Sequence, residues 1–97
     1  MPRPLLKLYV TGGTPRAEIA IANLRRICEE VLNGDYDLQV IDVLEQPHLA
    51  EQDRVLVTPT VIKQMPPPPR RVLGDLSNAD LVRAGLQLMP AHGGDGE

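Results

Sequence analysis

Four consecutive prolines, Pro66 to Pro69, restrict the folds that this 97-residue chain can adopt. Each proline fixes its φ angle and lacks a backbone N–H, so the run cannot lie inside a helix or a central strand. An apolar, β-branched run from Val55 to Ile62 precedes the prolines, and a short strand pattern from Arg70 to Leu73 follows them. We therefore expect a rigid, extended elbow that connects two segments of one sheet.

Size and composition indicate one domain with a modest core. A chain of this length buries roughly two-thirds of its unfolded surface, and its apolar residues are aliphatic apart from two tyrosines. The net charge of −3 gives no argument for a nucleic-acid partner. A single cysteine excludes an intramolecular disulfide and suits a reducing compartment. Because the sequence has neither a signal-peptide pattern nor an apolar run long enough for a membrane span, we expect a soluble, cytoplasmic protein.

The hydrophobic periodicity predicts the element order β-α-β-α-β-β-α. With a βα turn at residues 11–14 and Thr58–Pro59 inside the third strand, this order resembles an α/β (α+β) thioredoxin-like domain. This domain covers residues 1–89, and the polar, Gly-rich segment 90–97 is expected to be a disordered tail. The predicted strands are Leu5–Val10, Tyr36–Val43, Val55–Ile62 and Arg70–Leu73; the predicted helices run from Thr14–Pro15 to Asn33–Gly34, over Glu45–Gln52, and from Ser77 onward.

The last helix has clear capping signals at its N-terminus, but the secondary structure of the residues that follow is ambiguous. Ser77 and Asp80 have the spacing of a capping box, and Leu76 and Leu81 stand at the hydrophobic-staple positions around it. The segment Leu81–Met89, however, fits both the helical and the strand period. An ordinary amphipathic helix is the simpler interpretation, and a segment with two structures is the alternative.

Residue types that carry chemistry are sparse. The turn Thr11–Pro15 stands where thioredoxins have Cys-x-x-Cys, and it contains no thiol; it also lacks the spacing of a phosphate-binding loop. Cys28 lies on the apolar face of the first helix, which favours a core role over a nucleophile. His48 and His92 have no second ligand at metal spacing. We expect no catalytic residue, metal or cofactor.

Three segments together resemble the KaiB family of cyanobacterial circadian clock proteins: LKLYVTGGTPRAE, YDLQVIDVLEQPHLAEQDRVLVTPTVI and PPPPRRVLGDLSN. The resemblance covers Leu5 to Leu88. It implies a non-enzymatic regulator that rests as a homotetramer and converts slowly to a thioredoxin-like monomer by refolding its C-terminal half. The monomer would bind the ATPase KaiC, capture KaiA, and compete with a thioredoxin-like histidine-kinase domain.

The resemblance implies partner-binding roles for three positions. Arg54 stands where the family has a lysine that meets KaiC, so the charge is kept. Gln39 stands where lysine is frequent, and Asp37 replaces a small apolar residue beside it. These two departures, together with a third at Gln87, indicate a divergent homologue.

A second set of residues is assigned to the change of fold or to the oligomer interface. Gly85 matches a glycine that holds the resting fold, so Gly85→Ala is expected to favour the helical form. Gln87 replaces a frequent aspartate, and the pair Arg70–Arg71 is equally compatible with solvation and with an interface. The full set is Pro59, Pro66, Pro67, Pro68, Arg70, Arg71, Gly85 and Gln87.

Three functions stay open on the sequence. The first is a KaiB-like regulator, and the second is a thioredoxin-like redox protein, against which the lone mid-helix Cys28 argues. The third is a fixed-fold adaptor of a sensor histidine kinase. The sequence does not separate a role in circadian timing from one in stress signalling.

Overall fold

The computed structural model describes residues 3–89, and the order of elements in this range is the predicted one. The predicted tail, residues 90–97, lies outside the described residues. The elements are β1 (Leu5–Val10), α1 (Pro15–Leu32), β2 (Asp37–Asp42), α2 (Pro47–Gln52), β3 (Thr60–Met65), β4 (Arg70–Leu73) and α3 (Ala79–Leu86).

The four strands form one mixed sheet in the order β2-β1-β3-β4. β1 and β2 are parallel, and α1 supplies the crossover that a parallel pair needs. β3 pairs antiparallel with both β1 and β4. The edges of the sheet are therefore β2 and β4.

The alternation of side chains along the strands gives the sheet two different faces. On the face covered by α1 and α3, Leu6, Leu8 and Val61 form the main core with residues such as Leu24 and Leu86. On the opposite face, here called the α2 face, a smaller cluster contains Tyr9, Ile41, Ala50 and Ile62. The short helix α2 covers only part of this face.

The first helix begins as predicted. The Thr14 hydroxyl accepts a hydrogen bond from the N–H of Ala17 (3.2 Å), and Pro15 occupies the first turn, where its missing N–H costs nothing. Asn33 ends the helix in the left-handed conformation, with φ at 55°.

The third strand differs from its prediction. It begins at Thr60 instead of Val55 and continues to Met65. Pro59 has no N–H to donate to a neighbouring strand, so pairing starts only after it. Residues 55–59 form a loop in which the Leu56 side chain is 92% exposed.

The start of the last helix is also displaced from its prediction, by one residue. The side chain of Asn78, and not of Ser77, accepts the capping hydrogen bond, from the N–H of Leu81 (3.1 Å). The N–H of Ser77 instead donates to the Asp75 carboxylate (3.0 Å). The predicted capping box and staple are therefore wrong: Leu81 is 58% exposed, and Val82 takes the buried position.

The proline run lies between β3 and β4, but it does not extend the chain. Lys63 pairs with Arg70 across an antiparallel ladder, so the intervening residues reverse the chain direction. The expected extended elbow is thus a hairpin connection. In α3, the described form follows the helical period as far as Leu86.

A candidate partner-binding surface at the end of α2

The C-terminal end of α2 is closed by a tight turn centred on Arg54. The N–H of Val55 donates to the carbonyl of Ala50 (2.8 Å), and the N–H of Arg54 donates to the carbonyl of Glu51 (3.1 Å). These two bonds form a Schellman motif, whose left-handed position is usually occupied by glycine. Arg54 takes that position with φ at 54°, and it is exposed.

Asp53, the residue before this turn, ties α2 to β1. Its carboxylate accepts a hydrogen bond from the Tyr9 hydroxyl and lies 3.5 Å from Lys7 Nζ. Tyr9 also lies 3.2 Å from the carbonyl of Leu49. Burial raises the pKa of the Tyr9 hydroxyl, and the neighbouring Asp53 raises it further, so the phenol stays protonated as a donor.

Arg71, on the edge strand β4, binds the same turn from the other side. Its Nη2 donates to the carbonyl of Asp53 (2.7 Å) and its Nη1 to the carbonyl of Arg54 (3.2 Å). The strand register places Lys7 and Arg71 on either side of Ile62, in one row across the α2 face. The turn is therefore held by β1 and β4 at once.

Exposed apolar side chains lie at the end of β2 and directly after the turn. Leu44 follows β2, and Leu56 and Val57 follow Arg54; all three are exposed. Val43, Val55 and Thr58 line a shallow pocket between the two loops. A basic residue beside exposed apolar groups is the composition of a protein-binding surface.

The Asp42 carboxylate positions the loop that contains Leu44. It accepts hydrogen bonds from the N–H of Leu44 (2.9 Å) and from the N–H of Gly12 (3.1 Å). A Cβ atom on Gly12 would lie 2.0 Å from Asp42 Oδ2, so any side chain at position 12 would displace this carboxylate. This contact explains the polar residue that follows the apolar pair Val40–Ile41 at the end of β2.

Nothing in the described residues resembles a redox or metal centre. Cys28 is fully buried, and desolvation raises the pKa of its thiol to about 12. Within residues 3–89, no group of three His, Cys, Asp or Glu side chains is placed to hold a metal ion. In the same range, no helix has the length and apolar character needed to cross a membrane.

A KaiB domain model matches residues 7–88 of the chain. The chain belongs to the KaiB family. It is 51% identical to the circadian clock protein KaiB3 of Synechocystis sp. over 90 residues, which cover 93% of this chain and 88% of that protein. It is 53% identical to the circadian clock oscillator protein KaiB of Prochlorococcus marinus, over 88% of this chain and 81% of the relative.

Solved structures confirm the thioredoxin-like fold. The N-terminal domain of SasA from Synechococcus elongatus superposes with a TM-score of 0.74 at 27% identity, over 90% of this chain and 86% of that one. Mitochondrial thioredoxin 3 of Saccharomyces cerevisiae gives 0.70 at 16% identity, over 90% and 79%. The second likeness shows the fold alone.

The structure places the three partner-binding candidates from the KaiB resemblance at different distances from the turn. Arg54 forms the turn itself. Gln39 is exposed on the edge strand β2, and the register sets it beside Lys7, which pairs with Asp53. Asp37 lies at the start of β2 and is engaged with Arg3 (3.5 Å). Arg54 and Gln39 thus share one region, and Asp37 stands apart from it.

The fold-switch and interface candidates fall into three groups. Pro66, Pro67, Pro68 and Gln87 line one open cleft between the proline hairpin and the end of α3. Pro59 is buried, and its carbonyl accepts a hydrogen bond from Gly74 (2.9 Å). In the third group, on β4 and α3, Arg70 is exposed, Arg71 binds the α2 turn, and Gly85 packs against β4.

The packing around Gly85 opposes the stabilisation expected for Gly85→Ala. A Cβ atom at this position would lie 2.6 Å from Cγ2 of the buried Val72, closer than two carbon atoms can approach. The helix-propensity gain of about 1 kcal/mol for alanine is therefore opposed by an overlap in the core. The helix propensity of alanine can be inferred from the sequence alone, but the steric overlap with Val72 cannot.

The anchoring residues that sequence reasoning missed are Lys7, Tyr9 and Asp53. Lys7 and Tyr9 alternate with buried leucines in β1, which places both on the α2 face. A lysine and a tyrosine on the second face of a central strand could have indicated a polar partner there. Asp53 gave no such signal, because it lies in a polar segment between two elements.

Proposed function

We propose that this chain is a non-enzymatic clock regulator that binds a KaiC-type ATPase through the turn at the end of α2. Membership of the KaiB family and relatives named as circadian clock proteins support the general role. The binding surface consists of Arg54 with the exposed apolar residues Leu44, Leu56 and Val57, and Gln39 extends it along β2.

One observation carries this assignment: an exposed arginine occupies a glycine-type backbone position that three other side chains hold in place. A non-glycine residue in the left-handed region costs free energy, and Asp53, Lys7 and Arg71 anchor the residues that adopt it. Such a turn fixes the backbone from which the Arg54 side chain projects, so the main chain loses little entropy when an acidic partner surface binds.

We further propose that the described thioredoxin-like form is the one that binds the KaiC-type ATPase. In the resting tetramer the C-terminal half has a different fold, and this form does not bind the ATPase. The sequence of Leu81–Met89 fits both the helical and the strand period, which supports this proposal, since a segment that fits two structures has a small energy gap between them.

Further proposed partners are KaiA and a histidine kinase with a KaiB-like domain, where the host contains them. The site of action is the cytoplasm.

A charge reversal tests the binding surface. Arg54→Glu should weaken binding of a purified cyanobacterial KaiC-type ATPase by about tenfold or more, because like charges then meet across the interface. Its carbonyl is unchanged, so the bonds from Arg71 remain and the fold should be intact by circular dichroism.

The matched control is Arg25→Glu, an exposed arginine on α1, on the other side of the sheet. It makes the same change in net charge. Equal losses for both variants in a titration at physiological salt would indicate non-specific electrostatics and would remove the α2 turn from the interface.

A fixed-fold adaptor of a sensor histidine kinase is the second candidate. The likeness to the SasA N-terminal domain favours it, because that domain and this chain have the same fold over nine-tenths of this chain. A strict monomer at all concentrations, with a single set of NMR peaks, would support the adaptor over the switching regulator.

A further inference from the structure

We propose that Arg71 is a positioning residue that links the C-terminal half of the sheet to the partner-binding turn. This inference rests on the function proposed above, and it concerns how the turn is held rather than what the turn binds. Arg71 bridges two consecutive carbonyls, those of Asp53 (2.7 Å) and Arg54 (3.2 Å), with separate guanidinium nitrogens. Both bonded residues belong to the turn, and Arg71 lies 17 residues beyond Arg54 in the chain.

The geometry suits arginine specifically. A guanidinium is a rigid planar fork, so two of its N–H groups can reach two neighbouring acceptors together. A lysine ammonium in the same place is a point charge on a flexible stem. Charge-assisted hydrogen bonds of this kind are among the stronger ones in proteins.

The contacts of Lys7 and Tyr9 on β1 with Asp53 do not replace the bonds from Arg71 to the two carbonyls. Tyr9 and Lys7 bind the side-chain carboxylate of Asp53, whereas Arg71 binds main-chain oxygens of Asp53 and Arg54. Of the two anchors, only Arg71 bonds directly to the two peptide units that flank the Arg54 Cα, whose N–H groups make the bonds within the turn. They therefore fix the orientation in which Arg54 and the residues after it leave α2.

The position of Arg71 makes the turn sensitive to the state of β4. Arg71 stands opposite Ile62 in the β3–β4 ladder, and β4 is an edge strand with a partner on one side only. If β4 leaves this register, the guanidinium leaves the two carbonyls. The turn is then complete only while the C-terminal half has the described structure.

Hydrogen exchange measures the turn independently of any partner. In Arg71→Gln, the amides of Arg54 and Val55 should exchange about tenfold faster than in the wild type, because charge-assisted bonds that hold the turn are lost. Amides in β1 and in the middle of α1 should keep their wild-type rates. Arg70→Gln removes the same charge from the same strand, on its other face, and should leave the turn's exchange rates unchanged.

Binding of a purified cyanobacterial KaiC-type ATPase gives the second readout. Arg71→Gln should weaken it about tenfold, and Arg71→Lys should restore the charge without restoring affinity or slow exchange. Faster exchange in Arg71→Gln with no binding by the wild type would support the positioning role and reject the proposed function. Unchanged exchange at Arg54 and Val55, equal acceleration throughout the chain, or full rescue by lysine would overturn the positioning role.

Discussion

Arg54 has an unfavourable backbone conformation and an exposed side chain. Residues that bind partners often lower the stability of the fold in this way. Glycine would take the left-handed region without steric cost. We predict that Arg54→Gly raises the free energy of unfolding by about 0.5–1 kcal/mol, the strain removed less the entropy that glycine adds to the unfolded chain. The same variant should bind a KaiC-type ATPase more weakly, because the charge is lost.

Arg54→Ala is the control for this prediction, because it removes the charge and keeps the strained backbone. Urea unfolding should give a higher midpoint for the glycine variant than for the alanine variant, with the two binding equally weakly. A glycine variant no more stable than the alanine variant would show that the φ angle of 54° is not strained.

Cys28 illustrates how burial controls the acidity of a single residue. Its pKa rises from 9.0 to about 12 because desolvation disfavours the thiolate, with a smaller contribution from Glu29. In the unfolded chain the thiol ionises near its ordinary value. The free energy of unfolding should therefore fall between pH 9 and pH 12, as the unfolded state loses its proton first.

Comparison with Cys28→Ala isolates this effect from the titration of the tyrosines. Between pH 8 and pH 10.5, the free energy of unfolding should fall more for the wild type than for the variant. Cys28 in the native protein should also react with iodoacetamide far more slowly than Cys28 in protein unfolded by urea. Rapid alkylation of the native protein, or turnover in an insulin-reduction assay that Cys28→Ser abolishes, would contradict the core assignment and revive the redox alternative.

At the scale of elements, the packing of α3 on β4 depends on Gly85. Alanine there gains about 1 kcal/mol in helix propensity and overlaps with Val72 Cγ2. We predict that Gly85→Ala stabilises the described fold more in a Val72→Ala background than in the wild type, since the truncated side chain leaves room for the new methyl group.

A double-mutant cycle measures this coupling. The four free energies of unfolding, from the wild type, both single variants and the double variant, should give a coupling of about 1 kcal/mol or more in favour of the double variant. Additive effects would mean that α3 shifts away from β4 at no cost and that the close approach is not required.

The sequence predicts elements well where the signal is local. β1 has a short apolar run, and α1 has Thr14, Pro15 and Asn33 at its ends, so both were located correctly. The start of α3 was missed by one residue because Ser77 and Asn78 are equally good caps, and in the structure the Asn78 side chain takes the capping bond. β3 was misplaced because its apolar run continues through Pro59.

The candidate site was only partly predictable. Arg54 emerged from the family resemblance, but its anchors are long-range: Tyr9 lies 44 residues from Asp53, and Arg71 lies 18 residues from it. Their meeting depends on the register of three strands and on the position of α2. Periodicity assigns a residue to a face of the sheet, but it does not say which residue from another element lies above it.

For the whole molecule, the two faces of the sheet have different roles. The face under α1 and α3 carries the main core and most of the buried side chains. The α2 face carries a small cluster, a polar network and the candidate surface. Arg71 connects this surface to β4, which belongs to the half that the proposed change of fold rearranges.

The proposed change of fold has a kinetic consequence for the whole molecule. If the described form is a minor population in a slow exchange, partner capture must wait for conversion, and its observed rate should become independent of partner concentration. Stopped-flow mixing with excess KaiC-type ATPase should therefore give a rapid phase from molecules already in the described form and a slow, concentration-independent phase from the rest.

A variant at the end of α3 tests whether the amplitude of the rapid phase measures the population of the described form. Gln87 adopts the left-handed conformation with φ at 55°, so Gln87→Gly should stabilise this form by about 0.5–1 kcal/mol, or roughly two- to fivefold in population. The rapid phase should grow accordingly, while the dissociation rate of the complex stays the same because Gln87 is remote from the α2 turn. A single phase whose rate increases linearly with partner concentration, in the wild type and the variant alike, would show that the chain binds without refolding, and the fixed-fold adaptor would be the better description.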